Sequence, residues 1–236
     1  MNAKDNSLSV TKETQDFRYR AALLSGGTSS SVIKKLVLLL LDKNTNPHGT
    51  ICDFGAGNGE LLSILTNTRY YSNFSGIDII SKPLILEEKI IWKTCDLNHD
   101  FEMMDSFDTV VCSEVIEYLE NPRHCFRTLS KLVKPSGILI LTMPNNESIR
   151  SILGLVFAGH FTQFLGSCYP AHITALVRTD LVRLCGESGF GPPSFYYSNH
   201  GCLPKLTRLS WQDISFGLLK GPLFSDNLAM VAKRCS

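Results

Sequence analysis

The chain has 236 residues, 44% of them apolar and 19% charged, which excludes general disorder and suits an α/β domain with a sizeable core. Its 23 Lys and Arg against 22 Asp and Glu leave a net charge of +1, so there is no global electrostatic footprint for nucleic acid. The densest apolar run, Leu36-Val37-Leu38-Leu39-Leu40-Leu41, is fenced by Lys34, Lys35, Asp42 and Lys43 and falls far short of the roughly 20 residues of a membrane-spanning helix.

Residues 1–28 read as an N-terminal segment, partly mobile, with a polar and frayed stretch over 1–17. It has no apolar run of the signal-peptide kind, so a cytoplasmic location is expected. A helix is predicted over 29–42, with Val32, Leu36, Leu39 and Leu40 as its apolar face, ended by the Pro and Gly of 44–49. Strand-like runs follow at 50–54, 74–80, 89–95, 107–112 and 138–142. Between them a helix is predicted over 58–65. A second opens at Asn121-Pro122, with Phe126, Leu129, Leu132 and Val133 at helical spacing. Such alternation implies a doubly wound, mostly parallel sheet with helices on both faces. Beyond Pro144 lie an apolar, aromatic stretch over 149–169, a helix over 178–189 and strands at 194–197 and 227–232. Residues 200–224 between those strands are Leu-rich with scattered Lys and Arg. Eight cysteines occur without a CxxC pair, which argues for reduced thiols and against a compact zinc site.

Most of the chemistry lies in Asp53-Phe54-Gly55-Ala56-Gly57-Asn58-Gly59-Glu60. An apolar strand runs directly into a glycine turn and a helix start, where backbone can approach a ligand closely. The dinucleotide spacing GxGxxG would put its third glycine at residue 60, which is Glu. The pattern is GxGxG with an acid on either side, which suits a cationic amine better than an anion. Two further acids end the next two strands, Asp78 in Gly76-Ile77-Asp78-Ile79 and Asp96 in Cys95-Asp96-Leu97. A carboxylate at the first position can accept from a ribose diol, and one at the second from an adenine amine. Each acid alone reads equally well as a loop residue or helix cap. Three acids at three consecutive strand ends mark the crevice where open α/β sheets bind ligands.

With Phe107-Asp108-Thr109-Val110-Val111-Cys112-Ser113-Glu114-Val115-Ile116-Glu117-Tyr118-Leu119 and Leu132-Val133-Lys134-Pro135-Ser136-Gly137, these motifs resemble the class I S-adenosylmethionine-dependent methyltransferases. The likeness is to the small-molecule branch that includes ubiquinone-type and polysaccharide-cluster enzymes. It covers residues 50–145 well and 227–233 more loosely. It implies a Rossmann-like, doubly wound sheet of seven strands, six parallel and the last antiparallel. Residues 29–236 would form a single methyltransferase domain with inserts at about 146–177 and 200–224. The resemblance assigns Asp53, Ala56 and the backbone of Gly55, Gly57 and Gly59 to the methionine part of S-adenosylmethionine. It assigns Asp78 to the ribose, Ile79, Asp96 and Leu97 to the adenine, and Ser113 and Glu114 to the surroundings of the sulfonium. Tyr19 or Arg20 is a further candidate for the cofactor carboxylate. Ubiquinone-type relatives often carry EVxEH after the fourth strand, a set that looks metal-binding in some. Here Tyr118 replaces the histidine, phenol is a poor ligand for divalent ions, and no metal is expected.

The implied reaction is methyl transfer to a small-molecule, glycan or lipid-linked acceptor, on oxygen in preference to nitrogen or carbon. A hydroxyl acceptor is helped by a general base. Among His48, His99, His124, His160, His172 and His200, His172 follows the fifth strand and its insert and is the candidate catalytic base; His160 is the fallback, and a base-free mechanism is the alternative. The aromatic insert would cover the acceptor. Residues 203–224 would form an amphipathic lid, or a peripheral contact with a membrane surface. Two rival readings are an NAD-dependent oxidoreductase, disfavoured by the loop spacing, and a non-catalytic cofactor-binding pseudo-methyltransferase.

Overall fold

The computed structural model describes residues 12–24, 26–44, 49–68, 70–102 and 105–236. Seven strands form one sheet: β1 (Gly49–Phe54), β2 (Tyr71–Asp78), β3 (Ile91–Thr94), β4 (Phe107–Ser113), β5 (Val133–Pro144), β6 (Ser194–Tyr197) and β7 (Asn227–Lys233). Their order is β3-β2-β1-β4-β5-β7-β6. β7 is antiparallel to both its neighbours and the other adjacent pairs are parallel, as expected. The order reverses between β1 and β4, which opens a crevice at their carboxyl ends.

Alternation along the strands divides the core in two. Cys52, Phe54, Val110, Cys112, Leu139 and Leu141 face one side, and Ile51, Val111 and Ile140 the other. The first face is covered by α4 (Pro122–Leu132) and α6 (Arg178–Glu187) through Phe126, Leu129, Leu132, Leu181 and Leu184. The second is covered by α2 (Ser31–Asn44) and α3 (Glu60–Thr66). In α2 the buried residues are Ile33, Leu36, Val37, Leu40 and Leu41, and Leu39 is half exposed. The expected face was therefore rotated by about one residue, because a run of six apolar residues carries no helical phase of its own.

Two other expectations meet a different structure. Within the N-terminal segment, residues Lys12–Leu24 form α1 where frayed chain was expected up to residue 17. Val133 does not end α4 but begins β5, pairing with Phe107. The residue is fully buried in either assignment, so apolar spacing could not separate the two. Residues 203–224, read in sequence as an amphipathic lid or membrane contact, hold one short helix, α7 (Trp211–Ile214), and a 3-10 turn at Pro222–Phe224. The preceding insert contains α5 (Ile149–Ala158) and then irregular chain to α6.

Both inserts are tied to the carboxyl end of β5. Asn145 Nδ2 donates to Pro222 O at 2.7 Å and to Ser225 O at 2.8 Å, and Asn146 Nδ2 donates to Leu176 O. Arg150 pairs with Asp226 at 2.9 Å and Arg178 with Glu147 at 2.8 Å. α4 opens at Asn121-Pro122 as expected, and the Asn121 side chain caps it by accepting from His124 N. All eight cysteines are free. No helix among the described residues is long and apolar enough to cross a membrane.

The fully buried Phe126 ring meets Phe190 edge-on at 6.4 Å and joins α4 to the sheet. Phe126→Ala is expected to cost about 3–5 kcal/mol of unfolding free energy. Urea denaturation measures it, and a loss below about 1 kcal/mol would show that this face collapses around the void.

Candidate functional site

A cavity of about 280 Å³ opens at the carboxyl ends of β1, β2 and β4. Of the residues singled out in sequence, Asp53, Gly55, Ala56, Gly57, Asp78, Ile79, Asp96, Leu97, Ser113 and Glu114 line it. Gly59 does not. It sits at the N-cap of α3 with φ +73°, under the Leu86 side chain, and shapes the loop from behind.

The glycine loop serves a purpose different from an amide cradle. Gly55 N and Ala56 N both donate to Ile77 O, at 2.8 and 3.1 Å, and Gly57 N donates to Asp78 Oδ2 at 2.7 Å. These donors hold the loop against β2, so the polar groups left for a ligand are chiefly acceptors. The glycines are needed for closeness. Gly57 has φ +53°, and a Cβ there would stand 2.2 Å from Gly27 O, a contact that backbone cannot relieve.

Asp53 is 4% exposed and Asp78 is 7% exposed. Burial, with the nearby charge of Asp78 adding to it, pushes the Asp53 carboxyl up to about 7. Burial also raises Asp78, against the lowering effect of the Ile80 and Gly57 amides, with Ile80 N donating at 2.8 Å. Two carboxyls in one poorly hydrated crevice are thus poised to accept a cation and hydroxyl donors. That is the chemistry of an amino-acid ammonium and a ribose diol, so the residues present fit S-adenosylmethionine.

At the third strand end, Asp96 accepts from Asn98 N at 3.0 Å and from Arg18 Nη1 at 2.6 Å. Burial tends to raise its pKa, but the Asn98 amide and the Arg18 guanidinium outweigh this and hold it below the usual range. Arg18 also pairs with Glu120 at 2.7 Å. It projects from α1, and Phe17, Ala21 and Ala22 of the same helix join the cavity wall. Tyr19 and Arg20 are exposed and absent from that wall, which corrects the expectation for them. Residues 17, 18, 21 and 22 share a helical face that 19 and 20 do not. Only helix phase could have indicated Arg18, and the frayed reading of 1–17 hid it.

The β4 end supplies a second acidic corner. Glu114 has φ +56°, an uncommon and strained conformation for a side-chain-bearing residue. Burial lifts its carboxyl to about 7, while Thr142 Oγ1 donates to it at 3.3 Å. Ser113 Oγ lies 2.9 Å from Thr142 Oγ1. Glu117 is 1% exposed, and both its oxygens lack a partner among the described residues. Burial and the neighbouring Glu114 keep it well above the carboxylate range, so it is no capping carboxylate in solvent. Among the described residues, no three His, Cys, Asp or Glu side chains converge as a metal-ligand set.

His172 stands one residue behind the wall. Its neighbours Tyr169, Pro170, Ala171 and Ile173 line the cavity and it does not. Its Nε2 lies 3.1 Å from the hydroxyl of Tyr118, which does line the cavity. His160 Nδ1 contacts Phe161 O and His99 Nε2 contacts Arg18. His160, His124 and His200 lie off the cavity wall, and His48 is outside the described residues. Arg18, Tyr118, Pro170, Ala171 and Ile173 are thus cavity residues that sequence reasoning left without a role.

A family model described as a methyltransferase domain matches residues 27–192. The chain is 31% identical over 164 residues to a ubiquinone biosynthesis O-methyltransferase of Dechloromonas aromatica, covering 66% of this chain and 70% of that one. It is 29% identical over 120 residues to the mitochondrial ubiquinone biosynthesis O-methyltransferase of Rattus norvegicus, covering 46% of this chain and 34% of that one. It therefore spans only about a third of the length of the mitochondrial relatives. Among solved structures, the 1,6-didemethyltoxoflavin-N1-methyltransferase of Burkholderia thailandensis, with bound S-adenosylhomocysteine, matches in fold. Its TM-score is 0.61 at 11% identity, over 96% of this chain and 92% of that one. The sheet order, the acids at its strand ends and the matched family model agree: this chain belongs to the class I S-adenosylmethionine-dependent methyltransferase family.

Proposed function

We propose that the chain transfers the methyl group of S-adenosylmethionine to a hydroxyl oxygen of a small-molecule, glycan or lipid-linked acceptor. The observation that carries this reading is the pair Asp53 and Asp78, buried together at adjacent strand ends beneath a loop whose amides are already engaged. The cofactor, when bound, supplies an activated methyl on a sulfonium, so the chain's part is positioning and handling the acceptor proton. Oxygen as the target atom draws support from the relatives named as O-methyltransferases.

In this reading Asp53 holds the amino-acid ammonium, with the backbone oxygens of the Gly55-Ala56-Gly57 turn around it. Asp78 accepts from the ribose hydroxyls, and its backbone bonds fix the direction of its lone pairs. Ile79 and Leu97 flank the adenine. Asp96 keeps acceptor capacity beyond Arg18 and Asn98, since a carboxylate offers about four lone-pair sites. Ser113 and Glu114 stand where the cavity leaves β4, beside the methyl to be moved. The aromatic side chains of Phe17, Tyr118 and Tyr169 form the acceptor's side of the cavity. Phe17 and Tyr169 meet at 6.4 Å.

Calorimetry with S-adenosylhomocysteine tests the assignment directly. Asp78→Ala is expected to weaken binding by about 1–3 kcal/mol through lost hydrogen bonds to a charged group. Unchanged affinity would remove Asp78 from the ribose. Transfer of tritiated methyl from the cofactor to an acceptor then separates a working enzyme from a silent binding protein.

The raised Asp53 pKa gives a pH signature. An ammonium favours the ionised carboxylate, so below about 7 binding must first remove a proton. Affinity for S-adenosylhomocysteine is expected to rise as pH increases through about 7 and then level off. Asp53→Asn should be weak and flat across that window. Because this ligand has no sulfonium charge, Glu114, which titrates in the same region, contributes little. The ligand-free fold should show the opposite trend. It holds a proton that the unfolded chain releases near about 4, so its stability declines as pH rises toward 7. A pH-independent affinity would remove Asp53 from the ammonium.

A further inference from the structure

The hydrogen bonds around His172 fix its protonation state as well as its position. Nδ1 lies 2.7 Å from Gln163 O, and a carbonyl oxygen only accepts, so Nδ1 carries the proton. Burial lowers the pKa of His172, against the opposing pull of that carbonyl, which leaves the ring neutral near pH 7. Nε2 is then a free lone pair, and the Tyr118 hydroxyl 3.1 Å away donates to it. Tyr118 has a single O–H. With that proton turned toward His172, the hydroxyl presents only lone pairs to the cavity. A group that meets Tyr118 from the cavity must bring a hydrogen.

The pair is built in. Ile173 N and Thr174 N donate to Glu117 O at 2.8 and 3.0 Å, and Thr174 Oγ1 donates to Leu119 O. These bonds fasten the loop carrying His172 to the turn carrying Tyr118. The imidazole meets the Tyr118 ring edge-on at 4.9 Å and the Phe164 ring at 5.6 Å. Burial, the Glu117 and Glu114 carboxyls and the Cys168 thiol all act against a free tyrosinate at 118. A proton can pass through this phenol more readily than the phenol can give one up alone.

We propose that Tyr118 and His172 form a proton relay for the methyl acceptor. The acceptor's O–H bond breaks as its proton moves to Tyr118 Oη, and the proton of Tyr118 moves to His172 Nε2. The electron pair left on the acceptor oxygen forms the new O–C bond while the C–S bond breaks, its pair staying on sulfur. The relay ends as an imidazolium, braced by the Gln163 carbonyl. Tyr118 is the catalytic residue, and His172 acts through it. The inference rests on the methyl-transfer reading and adds to it the group that meets the acceptor.

The test uses 4-nitrophenol, whose phenolate is yellow and whose phenol is not, added below its solution pKa to the full chain loaded with S-adenosylhomocysteine. Calorimetry first establishes loading. Failure to load overturns the methyl-transfer reading itself, whereas failure at the next step overturns only the relay. The wild type is expected to develop the phenolate band on binding, while nitrogen-15 NMR shows one histidine becoming imidazolium. Tyr118→Phe and His172→Gln, each still loading with S-adenosylhomocysteine, are expected to lose the band. A purely structural histidine would leave it in place. No phenolate band in the wild type, a band without an imidazolium, or a band that persists in either loaded variant would overturn the relay. The wild-type signals decide the matter even where a variant does not fold.

Discussion

Asp53 and Asp78 end adjacent parallel strands whose register sets Asp53 beside Gly76 and Phe54 beside Ile77. Parallel pairing therefore brings both carboxyls to one end of the sheet, and the reversal of strand order beside β1 leaves that end uncovered. Among the described residues, no ion pair with a cationic side chain involves Asp53. Burial in this poorly hydrated crevice, with the charge of Asp78 adding to it, pushes the Asp53 carboxyl up to about 7. The fold retains this unfavourable arrangement because large apolar faces on both sides of the sheet hold the strands in register. A ligand with one positive charge and several hydroxyls relieves it, and an anion would aggravate it. Selectivity on the cofactor side thus follows from electrostatics that the sheet imposes.

The third strand end, proposed to face the adenine, is managed differently. Asp96 is paired from the outset with Arg18, which also reaches Glu120. That triad ties α1 to the loops after β3 and β4 and makes the helix a wall of the cavity. The side chains of Arg18 and Asp96 are mostly shielded from solvent, at 14% and 11% exposure, so their attraction is less screened than that of a surface pair. One half of the crevice is left short of positive charge, and the other is closed by it.

This division explains what could be read in the sequence. The strand–glycine–acid pattern is local: each acid follows its own apolar run by a residue or two, and parallel topology does the rest. That Asp53, Asp78, Asp96, Ser113 and Glu114 share one cavity wall was legible for that reason. Arg18 was not, because its partners lie 78 and 102 residues away and α1 has no clear apolar stripe to announce a buried face. Tyr118 and His172 are 54 residues apart, and their meeting depends on an irregular loop for which no periodicity exists. Val133 shows a third kind of limit. Helix and strand both bury it, so only the pairing of β5 with β4 decides.

The same contrast bears on how the site is divided chemically. Groups on the proposed cofactor side come from strand ends and tight turns, where backbone amides fix the carboxylates of Asp78 and Asp96. Groups on the acceptor side come from the turn after β4 and from the insert after β5, which bond to each other through Glu117 O and Leu119 O. In the proposed relay the tyrosine at 118 depends on that insert, which brings a histidine to it. The ubiquinone-type motif that this chain resembles often carries histidine at this position. Here an imidazole stands one hydroxyl further from the cavity, and a phenol stands between it and whatever enters. A histidine at 118 would meet the acceptor directly and would have no use for His172. With tyrosine at 118, the proposed relay takes its nitrogen from another element, the loop fastened to residues 117–119.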